Sequence, residues 1–279
     1  MAIDLVTKFL PYVDEKFATE SKRTMVTNLD FTFDGAKTVK IYKITTASMN
    51  DYDRAGTGEN ISRYGAIAGL DATTEDFTLR KDRSFTFAID RLDEDETGLT
   101  LQAGTALARQ LREVVIPEID GYVYAEMADN AGIKPTAVKL TKDNIYEKII
   151  TANNALDNAE VPEEGRVIIV TPDTYLLMKQ CRDIVMETNI GNDMRLKGVI
   201  GNLDGAFVQR VPASRLPEDF GFMIAHPSAT VAPVKLEDYK IHEDPPGISG
   251  SLVEGRIVYD AFILENKADA IYYQENSTT

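Results

Sequence analysis

Residue types that build many active sites are scarce in this chain of 279 residues. It has no tryptophan, one cysteine and two histidines. A single cysteine cannot form a disulfide within the chain, so folding in a reducing compartment is expected. The two histidines, His226 and His242, stand alone, and neither has a partner at the spacing of zinc ligands. The composition therefore disfavours disulfide-stapled and zinc-dependent classes of protein.

Long apolar runs are missing as well, and basic residues are outnumbered. No segment of about 20 consecutive apolar residues occurs, so no membrane-spanning helix is predicted. The first ten residues contain Asp4 and lack a basic leader, which disfavours a secretion signal. The formal net charge is −15, from 45 acidic and 30 basic side chains. Lys and Arg neutralise the phosphates of bound nucleic acid. Because acidic residues outnumber them in this chain, we expect the chain at most to enclose nucleic acid, without binding it tightly.

The apolar pattern of the first third predicts an arm, a strand pair and a long excursion. Residues 1–37 begin with apolar side chains four apart, typical of a helix, and then become rich in turn formers. A strand is predicted at 38–45, with its counterpart in 77–80 and 84–89, where apolar and polar residues alternate. Residues 46–75 between them are too many for an ordinary connection. Their tyrosines and isoleucines predict that a partner orders this excursion.

A long helix is the clearest local feature. In residues 98–131 apolar side chains recur at spacings of three or four, with Pro117 expected to bend the helix and Gly132 to stop it. Such a helix is roughly 50 Å long, about the diameter of a compact chain of this size, which predicts an elongated subunit. A second helix, capped by Thr141, is predicted at 141–158.

The rest of the chain mixes short strands with a capped helix. A buried strand is predicted at Val167–Val170, and Thr171 is expected to cap a helix that has Pro172 in its first turn and ends near Arg182. Helices and strands neither alternate regularly nor segregate, which predicts the α+β class. Further strands are predicted at 206–211, 222–225, 251–264 and 270–273.

The acidic cluster Asp90–Gly98 is the best candidate for a metal site, and it fails as a calcium loop. Asp93, Asp95 and Gly98 match positions 1, 3 and 6 of such a loop, but Gly104 stands where a bidentate carboxylate is required. We interpret the cluster as a charged first turn of the long helix, since acidic side chains there complement the helix dipole.

Other catalytic motifs are absent or incomplete. Gly56–Ile61 begins like a dinucleotide-binding loop but lacks the third glycine. The sequence contains neither a phosphate-binding Gly-Lys-Ser/Thr loop nor a Gly-x-Ser-x-Gly elbow. Cys181 is predicted to lie inside a helix beside Arg182, where a buried structural thiol is favoured over a reactive one. No catalytic residue, cofactor or metal ligand is therefore assigned, and the chain is predicted not to be an enzyme.

Four stretches of sequence, and their order, resemble a known family. The runs Gly165–Tyr175, Gly201–Val208 and Val211–Pro217 resemble the axial-domain core of the major capsid proteins of tailed bacteriophages. The run Gly255–Tyr272 resembles the closing strands of their peripheral domain. The order of arm, excursion, long helix, second helix, mixed domain and closing strands also matches over nearly the whole chain. The resemblance implies the Hong Kong 97-type capsid fold.

The resemblance also implies a division of the chain and a set of partners. The partners would be copies of the chain in pentamers and hexamers, a portal protein and, as an option, a decoration protein. A separate scaffolding protein is also implied, since no long extra segment precedes the arm. The shell would enclose double-stranded DNA in the virion, without a membrane, after assembly in the cytoplasm of a bacterial host. The implied parts are an N-terminal arm at 1–37, an extended β-hairpin loop at 38–90, a peripheral domain with the spine helix at 91–160, a mainly axial domain at 161–245, and closing strands of the peripheral domain at 246–279.

Intersubunit contacts are predicted in and beside the extended loop, because Tyr and Arg are favoured anchors at interfaces. Charged residues that border the loop are expected to pair across subunits. Two alternatives stay open on the residues alone: an encapsulin-type nanocompartment shell with the same fold, and an enzyme with an unrecognised carboxylate site. The predicted contact residues are Tyr52, Arg54, Arg63, Tyr64, Lys81 and Arg83.

Overall fold

The computed structural model divides the chain into two compact units. The smaller unit is Phe33–Arg80, and the larger one combines Met1–Thr32 with Lys81–Thr279. The amphipathic segment predicted near the start of the chain lies outside the residues that the structure describes. Those residues are 21–28, 38–56, 62–96, 102–186 and 201–277.

The smaller unit is built on one antiparallel hairpin. Its strands, β1 (Thr38–Ile44) and β2 (Ala72–Thr78), pair in register from Thr38 opposite Thr78 to Ile44 opposite Ala72. Four of the seven residues of β1 are Thr, Val or Ile, and such β-branched side chains favour extended backbone. The pairing ends at Thr45, whose N–H donates to the carbonyl of Asp71 at 3.0 Å. The hydroxyl of Thr45 in turn accepts a hydrogen bond from the N–H of Asp71 at 3.0 Å.

The partner predicted for the first strand is wrong in part. The sequence predicts that both 77–80 and 84–89 pair with it. In the structure β1 pairs with β2, whereas β3 (Lys81–Asp90) belongs to the larger unit and pairs with β10 (Gly250–Tyr259). The alternating apolar side chains of β3 indicate a strand, but alternation does not identify the strand that lies beside it.

The predicted long helix is interrupted by a π-helical turn just before Pro117. Helix α2 (Ala103–Gln110) passes through Leu111–Val115 into α3 (Ile116–Asp129). Pro117 has no N–H for the carbonyl four residues earlier, and its ring would collide with that carbonyl in a regular helix. The N–H of Ile116 donates to the carbonyl of Leu111, a π-type bond that widens the backbone immediately ahead of the proline.

Two helix starts differ from the prediction. The acidic cluster forms a short helix of its own, α1 (Arg91–Glu96), rather than the first turn of the long helix. Helix α4 (Ile145–Asn158) begins four residues later than predicted, because Thr141 does not cap it with its side chain. Instead the N–H of Thr141 donates to Oδ1 of Asn144 at 2.8 Å, and its carbonyl accepts from the N–H of Ile145 at 3.1 Å.

A five-stranded mixed sheet occupies the middle of the larger unit. In spatial order its strands are β12 (Ile271–Glu275), β7 (Phe220–Ala225), β4 (Val167–Val170), β6 (Ala206–Arg210) and β5 (Asn202–Leu203). Only β4 and β6 are parallel. The hydroxyl of Thr171 accepts the N–H of Thr174, so the predicted cap of helix α5 (Pro172–Gln180) is confirmed. Cys181 is buried in the turn between α5 and α6 (Arg182–Met186), not inside a helix as predicted.

Alternate residues of β4 reach two separate cores, because successive side chains of a strand point to opposite faces. Val167 and Ile169 pack in the core that contains α3. Ile168 and Val170 pack in the core that contains α4 and α5. The sheet thus lies between helices on both faces, with the long helix on one of them.

A second sheet of three antiparallel strands has the order β3-β10-β9, where β9 is Val234–Glu243. Strand β9 is not among the predicted strands, because the apolar residues at 234, 236, 239 and 241 change phase and leave no continuous alternation. A short pair, β8 (Thr230–Val231) with β11 (Phe262–Ile263), completes the strands of the described residues.

Candidate functional site

Exposed apolar side chains are concentrated in the smaller unit. Met49 is 99% exposed and Ile67 is 90% exposed, although both are large and apolar. Large apolar side chains exposed in such number on one small unit indicate a surface that another molecule covers. Within the described part of the chain, the members in this unit are Tyr42, Ile44, Met49, Tyr52, Tyr64, Ile67 and Leu70.

The structure brings together three of the predicted contact residues of the excursion, Tyr52, Arg63 and Tyr64, and places Arg54 beside them in the chain. The rings of Tyr52 and Tyr64 meet edge to face, with centroids 5.0 Å apart. The N–H of Asp53 donates to the carbonyl of Arg63 at 2.9 Å, which joins the two limbs of the excursion. Arg54 lies next to this pair and is exposed. Two tyrosines and two arginines therefore cluster on a segment that has almost no core of its own.

The other two predicted contacts lie on β3 in the larger unit and have partners within the chain. The ammonium of Lys81 is 4.7 Å from the ring centroid of Tyr122, and Nε of Arg83 is 2.7 Å from Oε1 of Glu118. Glu118 and Tyr122 are one turn apart on α3, so both contacts fasten the start of β3 to the long helix. Pairing of Lys81 and Arg83 across subunits stays a prediction.

Two tyrosines beside these contacts act as hydrogen-bond donors. The hydroxyl of Tyr122 donates to Oδ1 of Asp260 at 2.6 Å, and burial together with this carboxylate raises the pKa of Tyr122 far above its ordinary value. The hydroxyl of Tyr259 donates to Oε1 of Glu118 at 3.2 Å. Burial and the charge of Glu118 raise the pKa of Tyr259 to about 12. Both phenols keep their protons at neutral pH, so they hold structure and cannot act as bases.

A buried ion pair, which sequence reasoning missed, joins Arg215 to the long helix, and the arm attaches to the same carboxylate. The guanidinium of Arg215 donates to Oδ2 of Asp120 at 2.9 Å, with side chains 5% and 1% exposed. The hydroxyl of Ser21 donates to the other oxygen of Asp120 at 2.6 Å. Val26, further along the arm, is fully buried in the core that contains α3. The arm segment 21–28 is therefore packed as part of the larger unit.

The isolated histidines have structural partners. Nδ1 of His226 lies 2.7 Å from the hydroxyl of Ser228, and Nε2 lies 3.1 Å from the carbonyl of Glu164. His242 pairs with Glu254 at 3.2 Å. Among the described residues, no group of His, Cys, Asp and Glu side chains is arranged to hold a metal ion. Within the same residues, no helix has the length and apolarity needed to cross a bilayer.

The subunit is expected to lose stability in mild acid through His226. Burial lowers the pKa of His226 below its ordinary value near 6.5, so the unfolded chain binds a proton that the folded chain resists. This contribution is present above about pH 6.5 and is lost as the pH falls through the lower pKa of the folded state. Urea unfolding between about pH 5 and pH 8 measures it.

The matched control for that titration is His226→Asn, which keeps a side-chain acceptor for the N–H of Ser228 but cannot be protonated. We expect the free energy of unfolding to fall more steeply in acid for the natural chain than for the variant. Parallel curves for the two proteins would contradict the assignment.

Solved structures of phage capsids share this fold over nearly the whole chain. The structure from Mycobacterium phage Che8 is similar with a TM-score of 0.79 and 18% sequence identity, covering 98% of both chains. The capsid of cyanophage P-SCSP1u has a TM-score of 0.78 at 14% identity, covering 99% of this chain and 94% of that one. The mature capsid of bacteriophage PhiM1 has a TM-score of 0.78 at 11% identity, covering 99% and 93%. The predicted α+β fold of Hong Kong 97 type is confirmed.

The sequence itself also carries a family match. No curated protein matches the chain by sequence. The model of a family described as phage capsid protein matches residues 72–273, well over half of the chain. That family is structural and not enzymatic, and it confirms the resemblance to tailed-phage major capsid proteins. The chain belongs to the phage capsid protein family, and it is a structural protein of the virion whose copies assemble into a shell of capsomers.

Proposed function

We propose that copies of this chain join through the excursion of the smaller unit to close the icosahedral shell of a tailed phage around double-stranded DNA. The observation that carries the proposal is the set of large apolar side chains exposed between Tyr42 and Leu70. A two-stranded hairpin without a third strand or a helix is marginally stable in water. A neighbouring subunit would supply the missing cover.

The size of this apolar surface supports an assembly role. Full burial of a large apolar side chain contributes about 1.5–3 kcal/mol relative to exposure. Seven partly exposed side chains could therefore contribute on the order of 5–10 kcal/mol per subunit before the costs of association. This contribution is repeated over every copy in a shell, so the apolar surface favours assembly.

A contact between the loop of one copy and a different surface of the next is heterologous, and heterologous contacts that close form rings. We propose that these rings are the pentamers and hexamers of the shell. The net charge of −15 supports the proposal that the shell encloses DNA without binding it tightly, because like charges repel. A portal protein, a scaffolding protein, a decoration protein as an option, and assembly in the host cytoplasm are proposed on the ground of the family alone.

We propose the same division of roles along the chain that the resemblance implies. Residues 1–37 would serve as the arm, 38–90 as the extended loop, and 91–160 as the peripheral domain. Residues 161–245 would meet their copies around the symmetry axes, and 246–279 would close the peripheral domain. The compact unit Phe33–Arg80 supports the proposed loop as one body up to Arg80, whereas the last strand of the loop, β3, pairs with β10 in the larger unit.

The double substitution Tyr52→Ser with Arg54→Ser is expected to reduce the yield of shells at least tenfold without unfolding the subunit. Burial of one such ring and one such guanidinium at an interface contributes about 2 kcal/mol or more. Sedimentation velocity would measure the fraction of protein in megadalton particles, and circular dichroism would check folding.

The matched control is Tyr52→Phe with Arg54→Lys, which keeps the ring and the charge. It should assemble much like the natural chain. Equal shell yields from all three proteins would remove these two residues from the interface.

A further inference from the structure

A groove with a basic rim opens in the larger unit, where the arm passes β6. Its volume is about 340 Å³, and it lies between Lys22 and Met25 of the arm and Phe207 and Arg210 of β6. Met25 and Phe207 are both exposed although they are apolar. Among the described residues that line it, none is acidic, in a chain with 45 acidic and 30 basic side chains. The groove is therefore locally positive, although the molecule as a whole is negatively charged.

Basic side chains gather at one end of this groove. Nζ of Lys22 donates to the carbonyl of Arg210 at 2.9 Å, which holds the arm against β6. The guanidinium of Arg210 lies 4.7 Å from the ring centroid of Tyr175, and the ammonium of Lys179 lies 5.2 Å from the same centroid. Two cations over one ring, with a third beside them, make a positive site that favours carboxylates.

The groove also contains a polar group whose hydrogen bonding is incomplete. Gln209 lines it and is 4% exposed. Its Nε2 donates to the carbonyl of Lys22 at 2.8 Å, but its Oε1 has no hydrogen-bond partner among the described residues. Such an orphan acceptor is costly when buried, so a donor from an occupant would stabilise the site. Charge, exposed apolar side chains and an orphan acceptor all indicate a ligand with carboxylates, an apolar anchor and N–H groups.

Among the described residues, the short helix α1 places an exposed apolar side chain directly beside carboxylates. Its Leu92 is 62% exposed and is followed directly by Asp93, Glu94 and Asp95. The helix is fastened to its own subunit at Arg91, which forms an ion pair with Asp244 and whose N–H donates to the carbonyl of Ser249 at 3.0 Å. An exposed leucine next to three carboxylates complements an apolar groove with a basic rim.

We propose that the basic groove of one copy receives the acidic helix α1 of a second copy during shell assembly. Leu92 would lie between Met25 and Phe207, and the carboxylates of Asp93 and Glu94 would meet Lys22 and Arg210. Two different surfaces are used, so the contact is heterologous and can propagate around a closed shell. The proposal rests on the proposed function and adds a second contact, distinct from the extended loop, with a named partner segment.

Disulfide trapping tests the proposed neighbours. Met25→Cys and Leu92→Cys are made as separate variants, mixed in equal amounts, assembled, and oxidised with diamide, which takes up the two thiol hydrogens as the S–S bond forms. The native Cys181 is buried and serves as the background. We expect covalent dimers containing one subunit of each kind in assembled shells, and none in either variant alone.

The outcomes separate this proposal from the proposed function. Shells that form without mixed dimers would overturn the docking of α1 and leave the function standing. If assembly protects the thiol of Met25→Cys from modification but no mixed dimers form, another segment occupies the groove. That result would also overturn the docking of α1. Failure of the natural chain to form shells under any condition would count against the proposed function itself.

Charge reversal tests the same pair without cysteines. Lys22→Glu with Arg210→Glu should reduce shell yield at least tenfold, and adding Asp93→Lys with Glu94→Lys to that chain should restore it. The control, Lys139→Glu with Lys142→Glu, makes the same change in net charge at exposed sites away from the groove and should assemble normally. If the double and the quadruple variant both fold but neither assembles, the pairing of Lys22 and Arg210 with Asp93 and Glu94 is overturned.

Discussion

Replacing residues 46–70 with an Asn-Gly turn is expected to abolish shell assembly while the rest of the subunit stays folded. The hairpin ends at Thr45 and Asp71, which already exchange backbone and side-chain hydrogen bonds. An Asn-Gly pair connects two antiparallel strands in a turn that matches their twist. The replacement therefore keeps β1, β2 and their register, and it removes the exposed side chains of Met49, Tyr52, Tyr64, Ile67 and Leu70.

The two readouts of this variant are independent. Thermal unfolding followed by circular dichroism should match that of the natural chain, because both cores lie in the larger unit. Sedimentation should show only subunits or small oligomers. A loop-shortened protein that still forms shells in normal yield would show that the excursion is dispensable, and the proposed mode of assembly would be wrong.

Arg215→Met is expected to destabilise the subunit by about 3–5 kcal/mol, the largest effect of any single substitution considered. The change leaves the carboxylate of Asp120 buried without its guanidinium, while the hydroxyl of Ser21 still donates to it. Removing one member of a buried pair costs more than the pair itself contributes, because the remaining charge stays desolvated. Urea unfolding measures the change in the free energy of unfolding.

Two controls make this prediction specific. Arg83→Met breaks the exposed pair with Glu118 and should leave the free energy of unfolding nearly unchanged, because water already screens that pair. The double substitution Arg215→Met with Asp120→Leu removes both buried charges and should recover most of the stability lost in the single variant. A loss below 1 kcal/mol for Arg215→Met would contradict a desolvated ion pair at this position.

The sequence predicted the long helix and the buried strand best, because their signals are local. Apolar spacing of three or four residues identifies α2 and α3, and Thr171 with Pro172 identifies the start of α5. The sequence predicted a bend at Pro117, but not the π-helical turn at Leu111–Val115, which depends on which carbonyl the N–H of Ile116 selects. Tertiary packing around the helix decides between these carbonyls, and the local sequence does not show that packing.

Pairing between distant segments could not be predicted. Strand β3 alternates clearly, yet its partner β10 lies far later in the chain. Asp120 and Arg215 are 95 positions apart, and Lys22 and Arg210 are 188 apart. Among 45 acidic and 30 basic residues, nothing marks these as the ones that meet. The buried ion pair and the basic groove are therefore products of the fold.

The candidate contact surface was predicted in part. Residues 46–75 are too many for an ordinary connection and contain tyrosines, which indicated an excursion that needs a partner. The aromatic contact between Tyr52 and Tyr64 agrees with a shared role for them. Lys81 and Arg83 were grouped with that surface because they follow it in the chain. In the structure they contact the long helix of their own subunit, so position along the chain was a poor guide to their neighbours.

Cryo-electron microscopy of the purified, full-length chain tests the central claim most directly. The account predicts closed icosahedral particles made of pentamers and hexamers, with density for the excursion of each subunit lying on a neighbour. A discrete dimer or other small oligomer that never forms rings or shells, at any concentration or ionic strength, would contradict it.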